Sequence, residues 1–125
     1  MEPQIIREKI SKEDLARIVR ENFGMMTKVD VDIKRRVLTI GGEWHSEGDE
    51  ILHEDGSLRE DVWGINFYPW NEQEKRIEYT SLINIKPALG HRAMEVKNQT
   101  LRADIRSVVE ELLLGSEETL NDVSR

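Results

Sequence analysis

From Val29 to Ile33 the chain alternates apolar and charged side chains: Val29, Val31 and Ile33 on one phase, Asp30 and Asp32 on the other. A two-residue period fits a β-strand with one buried face and scatters around a helix. Leu38 and Ile40 resume the same pattern. A two-residue turn at Lys34–Arg35 sets Val31 against Leu38 and Val29 against Ile40, which predicts an antiparallel hairpin over about 27–41. Gly41-Gly42 ends the second strand.

Two further strands follow by the same logic. Asp61–Tyr68 places Trp63, Ile65 and Phe67 on one face and Val62, Gly64 and Asn66 on the other, with Pro69 as terminator. Ile77–Lys86 alternates in the same way, and matching the apolar faces pairs Phe67 with Ile77 and Ile65 with Tyr79. Gln4–Arg7 reads as a short first strand. Helical spacing takes over in two places. Ser11 with Asp14 forms a capping pattern ahead of Leu15, Ile18, Val19 and Phe23, stopped by Gly24. Leu101, Ile105, Val108, Val109 and Leu112 make one stripe over about 99–114, stopped by Gly115. Ser46 with Asp49 suggests a third, short helix near 49–53. The expected fold class is α+β: a single antiparallel sheet of about four or five strands, built from two hairpins, with the two long helices on one face. Residues 1–114 form one domain in this reading, and 115–125 a polar tail with little to bury.

A chain of 125 residues can bury roughly two thirds of its unfolded surface and needs no cross-link to fold. It has no cysteine, so disulfides, thiol nucleophiles and cysteine-based zinc sites are excluded. The net charge of −7 argues against a nucleic-acid partner. No apolar run reaches the ~18–20 residues of a membrane span and no secretory pattern opens the sequence, so a cytoplasmic location and no membrane partner are expected.

The acidic excess is local. Residues 37–80 carry eleven acidic and three basic side chains, and eight acids between Glu43 and Asp61 face only Arg59. Such a stretch is a solvated surface or a site for a cationic ligand, because converging carboxylates repel one another without a counter-charge. Within it, His45, Asp49 and His53 recur at i, i+4 and i+8, a nitrogen–oxygen–nitrogen donor set suited to a divalent metal if one helix covers all three. Glu43, His45 and Asp55 are candidate catalytic groups, since a carboxylate or imidazole beside Trp44 can be desolvated into general acid or base work. Gly64 and Asn66 are unusual inside a strand and leave room for something to lie across the sheet. Asn66, Asn84, Lys86 and Arg92 supply amide and cationic groups for a ligand, with Lys86 and Arg92 bracketing the Pro87–Gly90 bend.

Taken together, the segments Gly41-Gly42-Glu43-Trp44-His45, Asp55-Gly56-Ser57, Glu60–Asn66 and Ser81–Pro87 resemble a family of small uncharacterised bacterial and archaeal proteins, a domain of unknown function. The resemblance rests on Gly-Gly-Glu-x-His, Trp-Gly-x-Asn and Asn-x-(Lys/Arg)-Pro motifs and covers nearly the whole chain. It implies a prokaryotic protein with no particular reaction. It marks Glu43, His45, Asp55, Asn66, Asn84 and Arg92 as a group, with His53 outside the pattern. The sequence reading therefore expects a small-molecule or protein partner, a homodimer, and a polar cleft between the 41–61 segment and the 84–92 loop. Two other functions stay open: a metal-assisted or His/carboxylate hydrolase of a small anionic substrate, and a regulatory partner of the toxin–antitoxin type.

Overall fold

The computed structural model describes residues 1–123. Five strands form one antiparallel sheet in the order β1-β3-β2-β4-β5: β1 Gln4–Ile6, β2 Thr27–Asp32, β3 Val37–Ile40, β4 Val62–Phe67 and β5 Ile77–Glu78. Three helices accompany it: α1 Lys12–Asn22, α2 His45–Glu54 and α3 Gln99–Leu112. The fold is α+β.

The expected hairpin register holds, with Val29 opposite Ile40 and Val31 opposite Leu38. The tight turn does not form. Asp32 Oδ1 accepts the backbone N–H groups of Lys34 and Arg35 at 2.9 Å each, and Ile33 N–H leaves the hairpin for Asp61 O. The loop widens to residues 33–36 and closes through Arg36 at φ +56°. Lys-Arg offers neither residue that a two-residue turn favours.

Ser11 caps α1 by accepting Asp14 N–H at 3.1 Å, and Asn98 caps α3 by accepting Leu101 N–H at 2.9 Å. Both helices lie on the sheet face formed by Val29, Val31, Leu38, Ile40, Trp63, Ile65 and Phe67. Leu15, Ile18 and Val19 of α1 and Ile105, Val108, Val109 and Leu112 of α3 complete that core. Burying a side chain of this kind contributes ~1.5–3 kcal/mol, so this layer supplies most of the hydrophobic stabilisation.

Three expectations are corrected. First, α2 is ten residues long, begins at His45 rather than after Ser46, and covers the opposite face of the sheet. Its Leu52 meets Val37 and Val62 in a second, smaller apolar cluster that Ile5 and Ile83 flank. The sheet is thus covered on both sides, and Asp30, Asp32 and Thr39, which alternation assigns to solvent, are buried. Second, the strand expected over 77–86 stops at Glu78 after pairing Phe67 with Ile77 and Asn66 with Glu78. The chain then turns through a short 3-10 segment at Leu82–Asn84. A β-carbon at Gly64 would lie 2.6 Å from Ser81 Cβ, so this segment packs directly on the glycine backbone. Third, the residues after 114 are not a free tail. Leu120 is fully buried, and the Arg76 guanidinium donates to Gly115 O and Glu118 O at 3.1 and 2.5 Å. Ser124 and Arg125 lie outside the described residues. Among the described residues no helix is long and apolar enough to cross a membrane.

Candidate functional site

The polar layer under α2 is held by close approach. A β-carbon at Gly48 would sit 2.3 Å from both Asp30 Oδ2 and Thr39 Oγ1, so only glycine lets the helix settle on these side chains. Burial pushes the Asp30 carboxyl well above the usual carboxylate range, and the neighbouring charge of Asp49 adds to the rise. Asp30 Oδ1 and Asp49 Oδ1 are buried without hydrogen-bond partners. Asp49 Oδ2 accepts from Arg59 at 3.0 Å.

The two stretches expected to meet do so. Lys86 Nζ donates to Arg59 O at 2.8 Å and Ile83 O at 3.1 Å, and stands 5.0 Å above the Trp63 ring. Its ammonium serves this junction, and burial lowers its pKa. Asn84 is likewise structural. It is fully buried, its Oδ1 accepts Gly64 N–H at 2.8 Å, and its Nδ2 donates to Gly64 O and Met94 O at 2.9 and 3.1 Å. These bonds use both its amide hydrogens, leaving none for a ligand. Arg92 is exposed and forms no ion pair among the described residues.

The proposed catalytic group does not converge. Glu43 is exposed, whereas Asp55 caps the far end of α2, ten residues and ~15 Å along the axis from His45. There Arg7 and Arg35, at 2.6 and 2.7 Å, hold the Asp55 carboxyl down to about 2. The metal set fails for a geometric reason. His45 and His53 do share one helix, but a separation of eight residues is ~12 Å, too far for one ion bonded at ~2 Å. His53 Nδ1 lies 3.1 Å from Ser57 O, and no group of three His, Asp or Glu side chains among the described residues is placed to hold a metal.

His45 has a different role. Its Nε2 lies 2.7 Å from Ile65 O. A carbonyl only accepts, so Nε2 carries the proton. Burial pushes the imidazole down to about 4, so at neutral pH the ring is uncharged and Nδ1 is a bare acceptor. His45 lines a cleft of about 240 Å³ with Lys28, Trp44, Ser46 and Asn66, closed on the other side by residues 80–83. Trp44 and Leu82 flank it with 63% and 72% of their surface exposed, a large apolar allowance for a polar rim. Trp44 is also the N-cap residue of α2. An indole has no acceptor for helical N–H groups, and Glu47 N–H instead returns to Trp44 O at 3.1 Å. The Glu47 carboxylate folds back onto this helix start, its Oε1 accepting Glu43 and Trp44 N–H at 2.7 and 2.8 Å. Lys28 has no ion pair among the described residues, its ammonium lying 5.5 Å from the Phe23 ring.

Of the residues singled out from sequence, His45 and Asn66 meet in this cleft. Lys28, Ser46 and the 80–83 segment were missed, because their placement depends on α2 crossing the polar face. The exposed Trp44 beside the double glycine was the available signal.

These features define a small two-sided α+β domain with a cleft at the start of α2. The chain belongs to the DUF5674 family of proteins of unknown function, whose model matches residues 4–112. No curated protein and no solved structure gives a significant match.

Proposed function

We propose that the domain binds a small anionic molecule with a planar apolar body in the cleft at the start of α2. The observation that carries this reading is the exposed Trp44 standing beside unfilled polar groups on a cleft of about 240 Å³. Trp44 supplies a flat apolar wall, while the ammonium of Lys28 favours negative charge. A second cleft, between Arg59, Glu60, Lys86, Ala88 and Leu89, is larger at about 310 Å³. Its cations are already engaged: Arg59 with Asp49 and Glu50, Lys86 with backbone carbonyls. It offers no free cation.

A fragment library of planar carboxylates, screened by ¹H–¹⁵N NMR against the full chain, tests this. The expected result is shifts confined to residues 28, 44–46, 66 and 80–83. Binding that perturbs only other surfaces sinks the reading.

A further inference from the structure

Resting on that reading, the hydrogen-bonding roles of the cleft identify the class of ligand more closely. Two side chains in its wall have their orientation decided by partners that can only accept. His45 is nine-tenths buried and gives its Nε2–H to Ile65 O at 2.7 Å, which leaves Nδ1 with a lone pair and, among the described residues, no donor facing it. Asn66 gives its Nδ2 to Glu78 Oε1 at 2.7 Å. An ionised carboxylate cannot donate, so the amide cannot be reversed, and Asn66 Oδ1 lies buried without a partner. Thus Asn66 Oδ1 is a buried acceptor without a donor, and His45 Nδ1 is a second acceptor with no protein donor among the described residues. Nearby, Lys28 presents a positive charge with no ion pair among the described residues, while the start of α2 is already answered by the Glu47 carboxylate. Buried polar groups are satisfied in the great majority of cases, and exceptions gather where something else supplies the partner.

We propose that the cleft selects a planar anion that also carries an N–H donor, with its anionic group towards Lys28 and its N–H directed to His45 Nδ1. Trp44 stacks on the planar body. Discrimination comes from the acceptor: a ligand without the N–H leaves Nδ1 desolvated and unpaired, which costs more than a hydrogen bond exchanged with water. A ligand with a ring oxygen at that position sets lone pair against lone pair.

The test uses three isosteric probes on the unmodified full chain: indole-3-carboxylate, 1-methylindole-3-carboxylate and benzofuran-3-carboxylate. All three are planar carboxylates able to stack, and only the first has an N–H. Affinity is read by titration calorimetry, and the contact by the ¹⁵N shift of His45 Nδ1. The expected result is at least fivefold tighter binding of indole-3-carboxylate, with the Nδ1 resonance moving for that probe alone. If all three bind the cleft equally, or the Nδ1 resonance stays still, the donor inference falls while the binding reading stands. If none perturbs Trp44 and His45, both fall.

Discussion

The two faces of the sheet are built on different principles. On the face covered by α1 and α3, apolar side chains from five elements interlock, with the Trp63 indole nitrogen buried among them. On the α2 face, a small apolar cluster around Leu52 is surrounded by Asp30, Asp32, Thr39, His45, Asp49 and Asn84, each held by particular hydrogen bonds or left without one. Nondirectional burial tolerates local error, whereas a polar layer in low dielectric is sensitive to each missing partner. Hydrophobic stabilisation is concentrated on one face, and the proposed ligand selectivity belongs to the other.

The largest effect expected is on the apolar side. Leu15→Ala removes a fully buried side chain of α1 and lowers stability by about 2–5 kcal/mol. Urea unfolding measures the loss, and the His45 and Trp44 resonances stay where they are if the faces are independent.

The polar face responds to pH, and two of its titrating groups, His45 and Asp30, pull in opposite directions. His45 has a folded pKa near 4, below its unfolded value. Its contribution is full above about 6.5 and is lost as pH falls through 4, a change of up to about 3 kcal/mol. Asp30 has a raised folded pKa, so its contribution is full below the ordinary carboxylate value and is lost as pH rises. Melting temperatures from pH 4 to 8 separate the two. Asp30→Asn removes the second trend alone, and its advantage over the unmodified chain should grow with pH. An advantage that shrinks would show that the carboxyl is not the strained group.

Asn84→Ala removes a buried side chain with three hydrogen bonds and should cost about 2–3 kcal/mol. Its diagnostic is line broadening across residues 80–83, the wall of the cleft. Gly48→Ala forces a β-carbon into Asp30 and Thr39. Overpacking outweighs the gain in helix propensity, leaving a net loss of about 1–2 kcal/mol in thermal or urea unfolding. Trp44→Ala should change stability by less than about 0.5 kcal/mol while weakening indole-3-carboxylate at least tenfold in calorimetry.

How much of this was legible beforehand follows the same division. The alternation in 29–33 and 62–67 and the helical stripes of α1 and α3 led directly to the apolar face, because period and burial coincide there. Charge was misleading on the other face. Asp30 and Asp32 sit at positions that normally face water, and nothing local says that a helix will cross them. Gly48 and Gly64 held the missing information: each marks a close approach, by α2 and by Ser81. Ile83 and Ile85 completed a convincing strand pattern, yet Thr80 N–H turns back to Glu78 O and ends the pairing. The 41–61 and 84–92 segments do meet at Lys86 and Arg59, but His45 and Asp55 point to opposite ends of α2, a distance that their motif membership concealed.

Asn84 has one more consequence. By answering both the N–H and the C=O of Gly64 with its own amide, it stands in for the neighbouring strand that β5 is too short to provide. A bare ladder at that position would invite another molecule to add on and continue the sheet from chain to chain. A single side chain thus closes this stretch of the sheet edge, and does so without the length of backbone that a sixth pairing segment would take.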